Sequence, residues 1–170
     1  MADRVIVVVV MGVAGSGKST VGPLIAKGLG GEFAEGDQFH PAANIAKMTS
    51  GQPLNDDDRM PWLAKMADAI RGWTRGPRPM VLACSALKQR YRDMLAQGSP
   101  EIRFVYLKGT RDLIGGRMAT RSGHFMPSSL LDSQFKTLEE PEDAIVLDAT
   151  QPPATMAAMA LAKLRRSDSR

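Results

Sequence analysis

The sequence predicts an α/β fold in which a parallel sheet is covered by helices on both faces, and three observations indicate it. Val5 to Val10 is a continuous apolar, mostly β-branched run without polar alternation, which is typical of a strand buried on both faces. A glycine-rich turn and a helical segment follow this run directly. Further apolar runs then alternate with helical segments, as a parallel sheet requires.

The first half of the chain supplies two strands and three helices. After the glycine turn, a helix is expected from about Lys18 to Lys27, where a glycine cluster ends it. A short strand, about Glu32 to Glu35, comes next. Pro41 to Ser50 is typical of a short helix that begins at a proline. Asn55 and the three aspartates after it provide an N-cap and first-turn acids for a helix that reaches about Arg71.

The second half continues the alternation as strand, helix, strand, helix, loop, helix, strand and helix. In that order the segments are Met80 to Cys84, Ala86 to Ala96, Ile102 to Leu107, Asp112 to Arg121, Ser122 to Ser129, Leu130 to Leu138, Ala144 to Asp148 and Ala154 to Leu164. No repeat or linker divides the chain. The sequence therefore predicts one domain over residues 1–170, with a frayed tail at about 166–170.

Composition narrows the class of protein. The chain has 170 residues, 44% of them hydrophobic and 24% charged, which suits one globular domain with its own core. The net charge of +4 is spread along the chain without a concentrated basic stripe, which argues against nucleic acid as a partner. Cys84 is the one cysteine, and the N-terminal apolar run is too short to span a membrane. We expect a cytoplasmic protein without a membrane partner.

The glycine-rich turn matches the pattern G-x-x-x-x-G-K-[ST] in full, at Gly12, Val13, Ala14, Gly15, Ser16, Gly17, Lys18 and Ser19. Glycines let backbone N–H groups converge on an anion, and the following helix, which continues through Thr20, points its positive end at the phosphates. Lys18 adds charge at the β- and γ-phosphates, and the Ser19 hydroxyl can ligate Mg²⁺. The pattern predicts a nucleoside triphosphate site without separating a kinase from a GTPase or a motor.

Two acids follow the second predicted strand. The later strand that ends at Cys84 carries no acid, whereas Glu35 and Asp37 lie where an open α/β sheet binds ligands, beyond a strand's carboxyl end. Two residues apart in an extended chain, their side chains share a side. We expect one carboxylate to reach magnesium through water and the other to orient an attacking hydroxyl. The alternative is a solvated acidic turn.

A basic helix carries Arg117 and Arg121, four residues apart and therefore on one face. Arginine is well suited to clamp phosphate. The adjoining segment from Ser122 to Phe125 contains a glycine, so it is expected to move as a lid that keeps water from the reaction. A solvated basic helix is the alternative.

Longer motifs run through the chain in a fixed order: GVAGSGKST in the glycine turn, GDQFHP at 36–41, MTSGQPLNDDDRMPW at 48–62, CSALK at 84–88 with Tyr91-Arg92, FVYLKG at 104–109, GHF at 123–125 and QFKTLEEP at 134–141. With these motifs the chain resembles the gluconokinases of the small, single-domain kind, over roughly Val8 to Gln151. More distantly it is similar to shikimate and adenylate kinases.

The resemblance implies transfer of phosphate from ATP to D-gluconate, giving 6-phosphogluconate and ADP, with Mg²⁺. It also implies a three-layer α/β/α P-loop kinase fold, a mobile lid at about residues 111–130, and a homodimer. Lys18 and Ser19 match the phosphate and metal positions, and Asp37 matches the acid that holds the acceptor hydroxyl. Glu35 stands where relatives often have aspartate.

Two further regions match nucleotide-binding positions of the family. Arg117 and Arg121 match the lid arginines, the first of which is expected against adenine, and either of which is expected on the charge that develops at transfer. Residues 148–152, with Gln151, match the loop near the base. Rival functions are a kinase of the same fold acting on shikimate or a nucleoside monophosphate, and a nucleotide-dependent binding protein.

Gluconate is a polyol with a carboxylate, so its site needs cations and several hydrogen-bonding groups. The candidates are His40, Arg59, Lys88, Tyr91, Arg92, His124 and Gln134. Lys88 and Arg92 are four apart on a predicted helix that begins just past a strand end, so they are expected to face one ligand. Alternatives remain: Arg59 pairs with Asp56, Tyr91 belongs to the core, and the two tryptophans serve packing.

Overall fold

The computed structural model describes residues 6–120 and 128–167. Its sheet has five strands in the order β2-β3-β1-β4-β5, and all the strand pairs are parallel. The strands are β1 Val7–Met11, β2 Glu32–Glu35, β3 Met80–Ala83, β4 Ile102–Lys108 and β5 Ile145–Asp148. The helices are α1 Lys18–Leu29, α2 Ala42–Thr49, α3 Asp56–Trp73, α4 Gln89–Ala96, α5 Arg111–Thr120, α6 Ser128–Thr137 and α7 Pro153–Ser167.

Helices cover both faces of the sheet, and the alternating side chains of β1 show how. Val8 and Val10 pack with apolar residues of α1 and α7 in one fully buried cluster. Val7 and Val9 pack with residues of α3 and α4 in a second cluster on the opposite face. The predicted α/β fold with a parallel sheet between two helical layers is therefore confirmed. Over the described ranges, no helix has the length and hydropathy needed to cross a membrane.

The first residue of α3 is set by local sequence, and that of α4 is set by tertiary contacts. Asn55 caps α3 as expected: its side chain accepts from the backbone N–H of Asp58 at 2.8 Å, and Asp58 returns a bond to the Asn55 N–H at 2.9 Å. The helix predicted from Ala86 instead begins at Gln89. Ala86 has a positive φ of 45°, and its carbonyl accepts from the Arg92 side chain, so the chain stays extended through Lys88.

The carboxyl ends of the parallel strands lie at one edge of the sheet, and the candidate site is built there. The glycine-rich turn leaves β1 at this edge. A 3₁₀ turn, Gly36–Phe39, leaves β2. The backbone at Gly36 passes so close to β3 that an added Cβ would lie 2.4 Å from the carbonyl oxygen of Ala83. A third buried cluster, made by Val13, Leu87, Ile114 and Leu131, packs α5 and α6 over the same edge.

Candidate active site

The glycine-rich turn has the backbone conformation of a phosphate loop. Gly15 and Gly17 have φ values of 79° and 108°, a region that favours glycine, and Gly17 is the N-cap of α1. Gly15 also lies against α5, because an added Cβ would approach Cγ of Met118 to 2.7 Å. The loop therefore lies at the positive end of α1, where an anion is favoured. Ser16 is fully buried in this loop.

Lys18 folds back over the loop that it follows. Its Nζ donates to the carbonyl oxygens of Gly12 and Val13, both at 2.9 Å. Burial lowers the pKa of the Lys18 ammonium, while the carboxylates of Asp37 and Glu35 act in the opposite direction. The ammonium is thus held against the backbone of the loop.

Ser19 and Glu35 meet at the loop and form an oxygen-rich site. The Ser19 hydroxyl donates to Oε2 of Glu35 at 2.8 Å. A hydroxyl and a carboxylate are ligands that Mg²⁺ accepts, and Mg²⁺ usually keeps waters and substrate phosphates as its remaining ligands. In the described part of the chain there is no group of three or more His, Cys, Asp or Glu that would enclose a metal by itself. These donors fit a magnesium ion that enters with a nucleotide.

One cavity of about 430 Å³ joins the phosphate loop to the end of β2 and to α3. It is lined by loop and α1 residues Ala14, Gly15, Gly17, Lys18, Ser19 and Thr20, by Glu35 at the end of β2 with Asp37 and His40 after it, by Ile45, Met48, Pro53 and Leu54, by Arg59 and Trp62, by Ser85 and Leu87, by Met118, and by Leu130, Ser133 and Gln134. Eleven of these lining residues were singled out from the sequence: the six of the loop and α1, then Glu35, Asp37, His40, Arg59 and Gln134. The cavity is large enough for a small acceptor beside a phosphoryl group.

Trp62 fixes the segment that carries Asp37. Its indole Nε1 donates to the carbonyl oxygen of Gly36 at 2.8 Å, in a buried position. Its ring stacks on the imidazole of His40, with centroids 4.3 Å apart and an interplanar angle of 12°. Because the two contacts lie on either side of Asp37, they hold this carboxylate in the cavity wall. The sequence indicated packing for Trp62, and it is buried, but it also shapes the site.

A hydrogen-bond network on the side away from the cavity holds Arg59. The Tyr91 hydroxyl donates to the carboxylate of Asp56 and accepts from Nη1 of Arg59 at 3.1 Å. The hydrogen bond from Tyr91, followed by that from Lys88, keeps the pKa of Asp56 below its ordinary value. Asp56 pairs with Lys88 at 3.0 Å and with Arg90 at 3.1 Å, so the expected alternative pair of Arg59 with Asp56 is not what this network forms. Arg59 reaches the cavity with a neutral phenol as its partner.

The expectation that Lys88 and Arg92 face one ligand is wrong. Lys88 precedes α4 as an extended N-cap residue, and its ammonium is engaged by Asp56. Arg92 is 2% exposed and donates to the carbonyl oxygens of Ala86 and Glu139, both at 2.7 Å. Arg92 therefore joins α4 to two neighbouring loops. The ring of Tyr91 is buried in the core, and its hydroxyl acts on the site through Arg59.

Gln134 belongs to the cavity but makes a contact that its motif did not indicate. Its Oε1 accepts from the backbone N–H of Ala14 at 2.7 Å. Ala14 lies in the first half of the phosphate loop, 120 residues away in the chain. The contact fastens α6 to the phosphate loop.

The other sequence candidates lie beside or beyond the cavity. Gly12, Val13 and Ser16 are buried and are not among the residues that line the cavity. Arg117 is half-buried on α5, one residue from Met118. Gln151 lies past the end of β5, where its N–H donates to the carbonyl oxygen of Asp148 at 3.1 Å. Arg121 and His124 lie outside the described residues, and so does the middle of the expected lid, which stays a prediction.

Sequence reasoning missed two residues that shape the site, Asn44 and Asp56. Asn44 is buried, and its amide contacts His40 and the backbone of Asp58. The sequence indicates Asp56 as a first-turn acid of α3 and as an alternative partner of Arg59, without a role for it in the site. The available signal for Asp56 was its place within the motif at 48–62, beside Arg59. For Asn44 the signal was a polar residue one helical turn after His40.

Comparisons with known proteins agree on one family. A family model described as shikimate kinase matches residues 14–164. The chain is 48% identical over 148 residues to the thermoresistant gluconokinase of Escherichia coli (strain K12), covering 85% of each chain. It is 49% identical over 135 residues to the gluconokinase of Gluconobacter oxydans (strain 621H), covering 79% of this chain and 76% of the relative. A crystal structure of a gluconokinase from Sinorhizobium meliloti 1021 superimposes with a TM-score of 0.87, at 46% identity, over 96% of this chain and 94% of that chain.

Proposed function

The chain belongs to the gluconokinases, within the wider shikimate kinase family, and from this premise we propose that it transfers the γ-phosphoryl group of ATP to the 6-hydroxyl of D-gluconate. The observation that carries the proposal is the single cavity shared by the phosphate loop, Asp37 and Arg59. A phosphate donor, a hydroxyl acceptor and a carboxylate each have a matching group in its wall. The sequence identities to gluconokinases favour gluconate over shikimate or a nucleotide as the acceptor.

Phosphoryl transfer depends mainly on positioning and on charge stabilisation. The N–H groups of the loop and the start of α1 bind the β- and γ-phosphates, and Lys18 exchanges its two carbonyl partners for phosphate oxygens. Asp37, held between the two contacts of Trp62, accepts a hydrogen bond from the 6-hydroxyl. This bond directs the hydroxyl oxygen of gluconate at the γ-phosphorus. Each residue acts on a different part of one in-line arrangement.

We propose Mg²⁺ as the metal, with the Ser19 hydroxyl as a direct ligand and Glu35 bound to it through water. When bound, Mg²⁺ neutralises charge between the β- and γ-phosphates. The bond of 2.8 Å between Ser19 and Glu35 supports this assignment, because it places both oxygens at one point of the loop. The longer side chain of glutamate, compared with aspartate, spans this distance from the end of β2.

We propose Arg59 as the partner of the gluconate carboxylate. Lys88 and Arg90 are paired with Asp56, Lys47 is paired with Asp58, and Arg92 is bound to carbonyl oxygens. Arg59 lies in the cavity wall with the Tyr91 hydroxyl as its partner, so it can add a charge-assisted bond to a carboxylate. His40 and Gln134 supply hydrogen bonds for hydroxyls, and Arg117, Arg121, His124 and Gln151 keep the roles that the family resemblance implies.

The setting of the reaction is also a proposal. We place the protein in the cytoplasm, where it takes part in gluconate utilisation, and we propose a homodimer that binds neither membrane nor nucleic acid. Light scattering on the purified protein measures the assembly directly. A mass of one chain at micromolar concentration would contradict the dimer without affecting the proposed reaction.

An acceptor panel tests the reaction. ADP release from Mg²⁺ and ATP is measured with gluconate, shikimate and nucleoside monophosphates, and ³¹P NMR identifies the phosphorylated position. We expect gluconate to give the fastest turnover by a wide margin and a phosphate ester at its 6-position. A faster reaction with another acceptor, or ADP release that no acceptor stimulates, contradicts the proposed function.

A further inference from the structure

Asn44 makes a pair of hydrogen bonds that fixes the identity of its own side-chain atoms. It lies on α2, 4% exposed, and its Nδ2 is 2.7 Å from the backbone carbonyl oxygen of Asp58. A carbonyl oxygen only accepts, so the atom facing it must be the amide nitrogen. The same Nδ2 lies 3.2 Å from Nδ1 of His40. The amide nitrogen therefore faces both the Asp58 carbonyl oxygen and Nδ1 of His40.

This arrangement decides which nitrogen of His40 carries hydrogen. Because the amide nitrogen of Asn44 only donates, Nδ1 of His40 must accept, and a neutral imidazole then has its hydrogen on Nε2. A protonated imidazole would set its Nδ1–H against the N–H of Asn44. Turning the amide over would not relieve this conflict, since the amide oxygen would then face the carbonyl oxygen of Asp58.

We propose that Asn44 is a positioning residue that holds His40 as the neutral Nε2–H tautomer. His40 then offers a hydrogen-bond donor, and not a cation, to the substrate that receives the phosphoryl group. The identity of that substrate rests on the proposed function, but the tautomer of His40 does not. His40 lines the cavity, and with Nδ1 engaged by Asn44, Nε2 is the nitrogen directed to a ligand hydroxyl.

Other groups around His40 also favour its neutral form. Burial of the ring, stacked on Trp62 of α3, lowers the pKa of His40, and the nearby charge of Arg59 lowers it further, while Asp37 opposes them. The remaining charges of α2 and α3 at this point, Lys47 and Asp58, are bound to each other.

A neutral His40 keeps the other groups of the cavity free for the substrate. An imidazolium beside Asp37 would form an ion pair with it and draw its carboxylate away from the acceptor hydroxyl. It would also compete with Arg59 for the carboxylate of the substrate. The neutral tautomer thus separates the two ends of the cavity, with hydroxyl recognition near Asp37 and carboxylate recognition at Arg59.

Nitrogen NMR of ¹⁵N-histidine tests the tautomer directly, since the chain has only two histidines, His40 and His124. The variant His124→Gln assigns the signals. At neutral pH we expect the two ring nitrogens of His40 to show a protonated Nε2 and an unprotonated Nδ1, and addition of gluconate to shift the Nε2 signal. A protonated Nδ1, or an imidazolium, in the wild-type protein overturns the proposal.

The variant Asn44→Asp tests the role of the amide. A carboxylate at this position accepts from Nδ1–H, so we expect the His40 titration to move to higher pH and the acid limb of the kcat/KM profile for gluconate to move with it. Thr49→Ala, an exposed change on the same helix, serves as the control and should keep the wild-type titration. An unchanged titration in folded Asn44→Asp protein contradicts the inference, and the wild-type spectrum decides the question if that variant does not fold.

The two proposals fail in different ways. A wild-type spectrum with the expected tautomer, together with no gluconate phosphorylation, leaves the positioning role of Asn44 intact and removes the proposed function. The opposite tautomer in an enzyme that phosphorylates gluconate removes the positioning role alone. A correct tautomer whose Nε2 signal does not respond to gluconate refutes the assignment of His40 to the acceptor.

Discussion

Gln134 and Ala14 are joined by a hydrogen bond of 2.7 Å, from the backbone N–H of Ala14 to the side-chain oxygen of Gln134. The bond crosses from the phosphate loop to α6, a helix that also packs on the loop through Leu131 and Val13. A loop amide that is satisfied by a side chain is held in place before any phosphate arrives. We infer that the order of the loop depends partly on α6.

The variant Gln134→Leu tests this dependence. It keeps the size of the side chain but leaves the Ala14 N–H without its acceptor, which typically costs about 1–3 kcal/mol. We expect KM for ATP to rise about tenfold, in keeping with about 1.4 kcal/mol per factor of ten. Lys136→Leu, an exposed change on the same helix, is the control. Equal KM values for ATP in the two variants would show that the bond does not order the loop.

Introducing a negative charge at the same position gives a second measurement. Gln134→Glu retains an oxygen that accepts from Ala14, but it adds a negative charge beside the entering phosphates. Thermal stability should therefore stay near that of the wild-type protein while kcat/KM for ATP falls, and the deficit should shrink as ionic strength rises, because salt screens the repulsion. A Glu variant with wild-type kcat/KM would place the terminal phosphate away from Gln134.

Sequence reasoning succeeded where the determinants are local. The phosphate loop is one continuous motif between a strand and a helix, and Glu35 ends the next strand with Asp37 two residues after it. For such residues, knowing that parallel strands end at one sheet edge is enough to bring them together. The cap of α3 at Asn55 is equally local, since its partner lies three residues away.

It failed where the partner of a residue is far away in the chain. Lys88 and Arg92 have a spacing that suggests a shared helix face, but Asp56 lies 32 residues before Lys88 and Glu139 lies 47 residues after Arg92. Both partners neutralise or bury the cations that the spacing offered to a ligand. The hydrogen bond from Gln134 to the loop is a similar case, because no pattern within a helix indicates which backbone amide its side chain meets.

Removing the carboxylate of Asp37, which is proposed to bind the acceptor hydroxyl, should lower turnover. In Asp37→Asn the shape of the side chain is retained but its charge is lost, so we expect kcat to fall by roughly 100-fold or more while KM for ATP changes little. Lys18→Ala should lower kcat by a similar factor, because it removes charge from the transferred phosphate. Glu32→Gln, an exposed change on β2, is the control for carboxylate loss. Near-wild-type kcat in Asp37→Asn would exclude Asp37 from the reaction.

Arg59→Gln tests the assignment of the substrate carboxylate. Loss of a charged hydrogen bond costs about 1.5–3 kcal/mol, so KM for gluconate should rise by about tenfold or more, while KM for ATP stays the same. Arg90→Gln removes a neighbouring arginine that is paired with Asp56, and it should leave KM for gluconate near the wild-type value. A similar increase in both variants would indicate a general electrostatic effect and not a specific contact.

Gly36 is expected to be a steric requirement of the site. In Gly36→Ala the new Cβ would lie 2.4 Å from the carbonyl oxygen of Ala83, and this backbone atom belongs to a strand that is paired on both sides, so moving it is costly. We expect a loss of about 1–3 kcal/mol in the free energy of unfolding, and lower kcat, because the turn that carries Asp37 must shift. Gly72→Ala is the matched control: no heavy atom lies within 4 Å of its added Cβ, and alanine in a helix should stabilise the protein by about 0.5–1 kcal/mol. Urea unfolding of both variants measures the difference.

Asp56 should make stability depend on acid pH. The Tyr91 hydroxyl and Lys88 hold the pKa of Asp56 in the folded protein below its ordinary value of 3.8, so the unfolded chain takes up this proton first as pH falls. The stabilisation is therefore fully present above pH 3.8 and is lost as pH falls below it, through the lowered pKa.

In Asp56→Asn this component is absent at every pH. Urea unfolding of the wild-type protein and this variant should show a difference in stability that is constant near neutral pH and shrinks below pH 3.8. Asp57→Asn, in the same helical turn but exposed, should follow the wild-type pH curve. A difference for Asp56→Asn that does not change with pH would mean that the carboxylate contributes by its shape and hydrogen bonds and not by its charge.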